Sequence, residues 1–270
     1  MGKANGRKSI FITGAASGMG LETARLFREA GWFIGGFDVN AMGLEALRAE
    51  LGENNCLVRV LNVTDRDDYR AALEEFGRAT DGKLDILFNN AGIGRGGPFA
   101  DQPWEDIMAV VQTNLVGVLI GIHSAVGLLK ATPGSLCFTT SSSSATYGMP
   151  GIAVYSATKH AVKGLTEALA VEFKAYGVRV ADVLPGLIDT PILPPGAAAN
   201  APKEGMFRAI APVEVARVVW RAYTEDKLHW YVPPEIYDLD KAATLAPEQT
   251  RDQMAAGSLF HSLNEVTKAG

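Results

Sequence analysis

The chain has 270 residues, of which 47% are hydrophobic and 20% are charged, and 29 of them are glycine. This size and composition fit one large α/β domain with a sizeable core, so we expect no second domain. The 25 Lys and Arg against 30 Asp and Glu give a net charge of -5, which leaves no general electrostatic case for nucleic acid or an anionic membrane as a partner.

The N-terminal residues 1–9 are polar and basic and lack the apolar core of a signal peptide. We find no run approaching the ~18 apolar residues of a membrane span, so we expect a soluble, cytoplasmic protein with no membrane contact. Cys56 and Cys137 lie in strand-like runs, which predicts two buried thiols in a reducing compartment. The histidines lack the spacing of metal ligands, and we predict no metal site.

The first strand is predicted over Lys8–Thr13, and it runs directly into a glycine-rich turn and a helical pattern over Leu21–Ala30. Glycines allow a tight turn and close approach to a pyrophosphate, whose charge the helix N-terminus attracts. The spacing is GxxxGxG, and it differs from the GxGxxG dinucleotide fingerprint. This pattern predicts a turn that binds a dinucleotide, and the alternative is a turn that only packs a strand on a helix. The candidate contacts with the dinucleotide are Gly14, Ser17, Gly18, Met19 and Gly20.

The second strand, Trp32–Phe37, ends in Asp38. A carboxylate at this position can accept hydrogen bonds from an adenosine ribose and would repel a 2′-phosphate. Neither Val39 nor Asn40 is basic, so we expect NAD rather than NADP as cofactor. The alternative is that Asp38 only caps the helix that begins at Ala41.

The third and fourth predicted strands, Leu57–Val63 and Ile86–Phe88, also end in candidate cofactor contacts. Asn62, with Val63 beside it, is placed to bond the adenine edge. The fourth strand runs into Asn89, Asn90, Ala91 and Gly92, where small residues let the backbone pass close to a ribose, although as a turn signal the segment is ordinary.

A long apolar-periodic helix is predicted over Trp104–Lys130, with one conspicuous polar residue, Asn114. A buried side-chain amide needs hydrogen-bond partners. Asn114 therefore either holds the helix open for a water or satisfies a neighbouring carbonyl.

A strand-like run, Ser135–Thr140, is followed by Ser142, and a helical pattern runs from Tyr155 to about Tyr176. In that helix Tyr155 and Lys159 stand one turn apart on one face. A nearby ammonium favours the phenolate and lowers the phenol's pKa, while a Ser142 hydroxyl can bond a substrate oxygen facing the tyrosine. Taken alone, Tyr and Lys four apart are more typical of an ordinary amphipathic pair on a helix surface.

After the strand predicted over Val178–Leu184 come further cofactor candidates at the carboxyl end of the sheet: Pro185, Gly186, Ile188 and Thr190. Residues 187–212 are expected to form a substrate lid. A helix over Val213–Tyr223, a last strand over Leu228–Val232 and a helical extension over 233–270 complete the chain, with a helical pattern from about Pro247 to Val266.

The predicted substrate pocket has a mostly apolar wall, so an aromatic, alicyclic or steroid-like alcohol is expected rather than a sugar phosphate. The candidate wall residues are Tyr147, Met149, Leu187, Ile192, Leu193, Met206 and Phe207. Arg95 and Arg208 are placed to recruit an anionic group.

The motifs, in this order, resemble those of the classical short-chain dehydrogenases/reductases over about residues 8–191. The resemblance implies that Tyr155 is the general acid/base, that Ser142 orients the substrate oxygen and that Lys159 binds the nicotinamide ribose. It also implies that Asn114 holds a water in a proton relay from Lys159. Two departures are Asn62, where the family often has Asp, and the tail after the last strand, which is not glycine-rich.

Together these patterns predict a single doubly wound parallel sheet, the Rossmann fold, with helices on both faces. The expected function is hydride transfer between NAD and a small-molecule secondary alcohol or ketone, in a homodimer or homotetramer. Two alternatives remain: an NAD-dependent epimerase or dehydratase without net redox change, and a redox-sensing NAD-binding protein.

Overall fold

Seven parallel strands form one central sheet in the computed structural model, which describes residues 2–256. The strand order is β3-β2-β1-β4-β5-β6-β7, so the order reverses between β1 and β4, as in doubly wound folds. The strands are β1 Ser9–Thr13, β2 Phe33–Asp38, β3 Cys56–Val60, β4 Ile86–Asn89, β5 Leu136–Thr140, β6 Arg179–Pro185 and β7 His229–Val232.

Helices cover both faces of the sheet. Their bounds are α1 Gly18–Glu29, α2 Ala41–Leu51, α3 Arg66–Ala79, α4 Trp104–Val111, α5 Gly117–Lys130, α6 Ala153–Glu172, α7 Pro212–Thr224, α8 Ile236–Leu245 and α9 Pro247–Ala256. One buried core lies between the sheet and α1, α2 and α7, and the other lies between the sheet and α3, α5 and α6. Strands with both faces covered have near-continuous apolar sequences, and the predicted fold is confirmed.

The long helix predicted over Trp104–Lys130 is continuous but has an irregular turn. Between α4 and α5, residues Gln112–Val116 form a wider π turn, in which the Gly117 amide donates to the Gln112 carbonyl. By length and composition this stretch also passes as a membrane span, the one such helix in residues 2–256, contrary to our expectation. Core helices of globular proteins have the same composition, and α5 packs on α3, β4 and β5.

The C-terminal extension begins with two helices, α8 and α9, which a single residue, Ala246, separates before Pro247. Proline is favoured in the first turn of a helix because it lacks an amide hydrogen that would need a partner there. The helical pattern predicted from Pro247 is thus present up to Ala256, and its remainder to Val266 lies outside the described residues.

The packing of α5 on the sheet leads to a stability prediction at Gly121. A Cβ at this position would lie 2.5 Å from Asn89 Oδ1 and 2.6 Å from the Tyr69 hydroxyl oxygen, which are joined by a buried hydrogen bond of 3.1 Å. Gly121→Ala is expected to lower the free energy of unfolding by about 1–3 kcal/mol, the usual effect of overpacking a core. Urea unfolding measures this change.

A matched control lies in the same helix. Gly127 is exposed and has no atom within 4 Å of an added Cβ, so Gly127→Ala is expected to raise the free energy of unfolding by about 1 kcal/mol through helix propensity. Equal effects of the two substitutions would contradict the assigned packing of α5.

Candidate active site

A cleft of about 610 Å³ opens at the carboxyl ends of the strands, next to the reversal of strand order. Doubly wound folds bind their ligands there. Most of the predicted site residues line it: Gly14, Ser17, Gly18, Met19, Asp38, Asn62, Val63, Asn90, Ala91, Gly92, Ser142, Tyr155, Lys159, Pro185, Gly186, Ile188 and Thr190. Gly20 and Asn114 are buried and are not among the residues that line it.

The glycine-rich turn connects β1 to α1 as predicted. Gly14 and Gly18 have positive φ angles of 69° and 53°, which glycine adopts without strain. A side chain at Gly20 would collide with the Gly14 carbonyl oxygen. The first turn of α1 contains no acidic residue, so its free amides and the helix dipole leave the cleft suited to a pyrophosphate.

Asp38 faces the cleft with a carboxylate whose orientation is set by the backbone. Its Oδ2 accepts from the Ala16 amide at 3.0 Å, and its Oδ1 accepts from the Asn40 amide at 2.9 Å. The cap of α2 is Asn40, whose side chain accepts from the Gly43 amide. The alternative role of Asp38 as the cap of α2 is therefore wrong.

Asn62 lines the cleft, and its amide oxygen already accepts two hydrogen bonds. The oxygen accepts from the Thr64 amide at 3.1 Å and from the Thr64 hydroxyl at 2.9 Å. These bonds direct the amide nitrogen of this exposed side chain away from Thr64, and that nitrogen is the group suited to bond an adenine edge.

The segment that follows β4 is tied to both neighbouring strands. Thr13 Oγ1 accepts from the amides of Asn90 and Ala91, each at 3.0 Å. Asn90 donates through Nδ2 to the Thr13 carbonyl at 3.1 Å and accepts from the Thr140 hydroxyl at 3.1 Å. Asn90 thus links the ends of β1, β4 and β5. These bonds hold the small residues Ala91 and Gly92 against the cleft.

Asn114 is fully buried in the π turn and bonds one residue twice. Its Oδ1 accepts from the Ile93 amide at 2.8 Å, and its Nδ2 donates to the Ile93 carbonyl at 2.9 Å. Of the two predicted roles, the side chain performs the second, since it satisfies a neighbouring carbonyl. Its neighbour Thr113 lines the cleft.

Three side chains with acid–base or hydrogen-bonding chemistry converge on the cleft: Ser142, Tyr155 and Lys159. Lys159 Nζ donates to the Thr140 carbonyl at 2.8 Å and lies 5.5 Å from the centre of the Tyr155 ring. The adjacent Ser141 points to the back of the site, where its hydroxyl donates to the Lys159 carbonyl at 3.1 Å. Of these neighbouring serines, Ser142 is the one that lines the cleft.

Burial sets the acid–base properties of these groups. It raises the pKa of the Tyr155 phenol, and a hydrogen bond with Ser142 offsets part of the rise. This direction is opposite to the one predicted from the Tyr155–Lys159 spacing alone. Burial lowers the pKa of Lys159 to about 8, and the charge of Asp182 opposes this lowering.

Backbone hydrogen bonds hold together the two ends of the segment that follows β6. A parallel bridge pairs Ile188 with Ile210, the Asp189 amide donates to the Ile210 carbonyl, and the Ile210 amide donates to the Leu187 carbonyl. The predicted lid over 187–212 is thus a loop whose two ends are fastened together beside the cleft. Its motion stays a prediction.

The apolar wall differs from the one expected. Ile192 and Leu193 line the cleft, whereas Tyr147, Met149, Leu187, Met206 and Phe207 are not among its lining residues. Arg95 lies at the cleft with its guanidinium 3.4 Å from Asp106, and Arg208 instead pairs with Glu235 at 2.9 Å.

The sequence analysis does not include several residues that line the cleft: Phe37, Val39, Leu61, Ile93, Gly94, Thr113, Thr140 and Pro191. Most follow directly on predicted strands or flank predicted contacts, so the strand ends were the signal that would have found them. In residues 2–256, no three potential metal-ligating side chains of His, Cys, Asp or Glu come together, and both cysteines are free and buried.

Comparison with known proteins gives consistent matches. The family model described as short chain dehydrogenase matches residues 8–200. The 3-oxoacyl-[acyl-carrier-protein] reductase FabG of Thermotoga maritima is 35% identical over 240 residues, which are 86% of this chain and 96% of that protein. The cyclohexanol dehydrogenase of an Acinetobacter species is 33% identical over 244 residues, 88% of this chain and 95% of that protein.

A solved structure is similar over most of its length. The 3-ketoacyl-(acyl-carrier-protein) reductase of Brucella melitensis, complexed with NADH, superposes with a TM-score of 0.75 at 28% identity. The match covers 83% of this chain and 96% of that one.

Proposed function

Because the chain belongs to the short-chain dehydrogenase family and is therefore an oxidoreductase, we propose that it interconverts a secondary alcohol and a ketone with NAD. The observation that carries the proposal is the meeting of Ser142, Tyr155 and Lys159 in the same cleft as Asp38 and the glycine-rich turn. This meeting supports a site in which an acid–base group and a dinucleotide-binding turn act on one small substrate.

NAD, when bound, supplies the hydride chemistry, and the side chains handle the proton. In the oxidising direction the Tyr155 phenolate accepts the hydroxyl proton of the alcohol, while Ser142 binds the same substrate oxygen. Burial raises the pKa of Tyr155, so its action as a base depends on groups that favour the phenolate. These are the Ser142 hydrogen bond and the ammonium of Lys159.

Lys159 has a second proposed task, to bind the nicotinamide ribose, for which its anchorage on the Thr140 carbonyl orients the amine. We assign to Asn114 a water in a proton relay from Lys159. Since its side chain is engaged with Ile93, the backbone carbonyl in the π turn is the group assigned to hold that water.

The residues fit the cofactor at both ends of the cleft. Gly14, Gly18 and Gly20 allow the turn to pack tightly against its neighbours at the start of α1, where free backbone amides suit a pyrophosphate, and the Asp38 carboxylate, held by the Ala16 amide, is suited to accept hydrogen bonds from a ribose. The Brucella relative's complex with NADH supports NAD as the cofactor. Arg95 and Lys159 are the two cations that line the described cleft, and neither is adjacent in sequence to Asp38.

We propose an apolar aromatic, alicyclic or steroid-like substrate. Ile93, Ile192 and Leu193 give the substrate end of the cleft an apolar lining, and the cyclohexanol dehydrogenase relative acts, by its name, on an alicyclic alcohol. The FabG relative is named for an acyl-carrier substrate instead. Activity on apolar alcohols should therefore be compared with activity on acyl thioesters.

The test follows the absorbance of reduced nicotinamide with a panel of substrates. Cyclohexanol and aromatic or steroid alcohols with NAD are expected to reduce the cofactor faster than a 3-oxoacyl thioester oxidises NADH. Higher kcat/KM with the thioester would overturn the substrate class. Turnover without net NADH would indicate an epimerase or dehydratase, and NADH binding without any turnover would indicate a sensor.

A further inference from the structure

The first turn of α8, which has no part in the mechanism above, packs against the wall of the candidate active site. Gly186 lines the cleft, and a Cβ at this glycine would lie 2.9 Å from Ile236 Cδ1 of α8. The Gly186 amide also donates to the carbonyl of Val232, at the end of the strand that leads into α8. The start of α8 is thus in direct contact with the backbone of the cleft wall.

A buried ion pair anchors α8 to the helix that carries the active-site tyrosine and lysine. Asp240 of α8 accepts from Lys163 Nζ of α6 at 2.8 and 2.9 Å, and both side chains are largely buried. The Tyr231 hydroxyl donates to the same carboxylate at 2.6 Å. Lys163 lies one helical turn after Lys159. Because removing one partner of a buried pair is strongly destabilising, α8 is a fixed support beside the active site.

A second ion pair joins this support to the predicted lid, residues 187–212. Arg208 Nη1 donates at 2.9 Å to Oε1 of Glu235, the residue that precedes α8, and at 2.7 Å to the Gly205 carbonyl of the lid itself. The side chains of Arg208 and Glu235 are 31% and 45% exposed. Partly exposed ion pairs contribute little to stability, so this contact can open while the buried pair on Asp240 persists.

The exposed pair lies next to the contacts that close the base of the lid. Arg208 is two residues before Ile210, which bridges to Ile188 and shares backbone hydrogen bonds with Leu187 and Asp189. Ile188 lines the cleft, and so do the lid residues that follow it: Thr190, Pro191, Ile192 and Leu193. A contact that holds Arg208 on α8 therefore also restrains the lid residues that line the cleft.

We propose that Arg208 and Glu235 are positioning residues whose ion pair, the latch, holds the lid on α8 beside the cleft and opens to admit the substrate. The inference rests on the proposed function, because it assigns the cleft to a substrate. One partly exposed pair changes the population of the latched state by about two- to fivefold. This role replaces the recruitment of an anionic group that the sequence suggested for Arg208.

Hydrogen exchange tests the latch without substrate or cofactor. The Asp189 and Ile210 amides donate across the base of the lid. In Glu235→Gln their exchange is expected to be about two- to fivefold faster, because exchange follows the population of the open state. Salt at about 1 M screens the same pair, so it is expected to speed exchange in the unmodified protein and to have little further effect in the variant.

Steady-state kinetics with the best alcohol of the panel give the functional readout. Glu235→Gln is expected to raise KM by about the same two- to fivefold factor, since the latched state is less populated, and to change kcat less than KM. Arg208→Met is expected to act like Glu235→Gln, and the double variant is expected to add nothing, because both remove one interaction. Arg208→Lys keeps the charge and is expected to lie closer to the unmodified protein.

Glu225→Gln is the matched control. Glu225 forms a similar exposed pair with Arg221 at the end of α7, outside the lid, so exchange at Asp189 and Ile210 is expected to stay unchanged. Unaltered exchange in Glu235→Gln, an equal change in both variants, or faster exchange with an unchanged KM overturns the proposal. If no alcohol or ketone is turned over, the proposed function fails, and the exchange rates still decide whether the latch holds the lid.

Discussion

Tyr155→Phe is expected to lower kcat by about 10²- to 10⁴-fold, the usual contribution of a positioned acid–base group. The substitution removes only the phenolic oxygen and keeps the ring that packs near Lys159. Because the glycine-rich turn and Asp38 are untouched, NADH affinity is expected to be nearly unchanged. The measurements are steady-state kinetics on the best alcohol of the panel and NADH binding by fluorescence.

Tyr176→Phe provides the same chemical change at a half-exposed position outside the cleft. It is expected to retain the activity of the unmodified protein. If Tyr155→Phe retained activity as well, Tyr155 would not be the acid–base group. If both variants lost NADH binding, the effect would be one of folding.

The protein is expected to prefer NAD over NADP by at least about 10²-fold in kcat/KM. A 2′-phosphate beside the Asp38 carboxylate brings like charges together, which costs several kcal/mol, and each 1.4 kcal/mol is a factor of ten. Asp38→Asn removes the repulsion, so the NAD to NADP ratio is expected to fall by at least tenfold, roughly 1.4 kcal/mol. Paired kinetics with the two cofactors measure this ratio.

Asp65→Asn is the matched control for Asp38. Asp65 is also a carboxylate that accepts from two backbone amides after a strand, those of Asp67 and Asp68, but it does not line the cleft. Asn caps a helix about as well as Asp, so neither stability nor the cofactor ratio is expected to change. A ratio that Asp38→Asn leaves unaltered would show that cofactor choice is made elsewhere.

The short-range features were predictable because they depend on neighbours in the chain. Each strand was located within a few residues, and the turn after Thr13 was expected from its glycines, two of which have positive φ. The spacing of Tyr155 and Lys159 placed both on one turn of α6. Because parallel strands end at a common edge, the segments that follow them were expected to meet, and most of the predicted site residues do line one cleft.

The sequence by itself therefore determined the doubly wound fold, the place of the cleft and most of its lining, because periodicity and turn chemistry act over a few residues. Only the tertiary structure decided which partners each polar group found. Asn114 bonds Ile93, Lys159 bonds Thr140, and Asp182 bonds His229 across 47 positions of sequence. Burial is equally a property of the whole fold, and it reversed the expected direction of the Tyr155 pKa because desolvation penalises the phenolate.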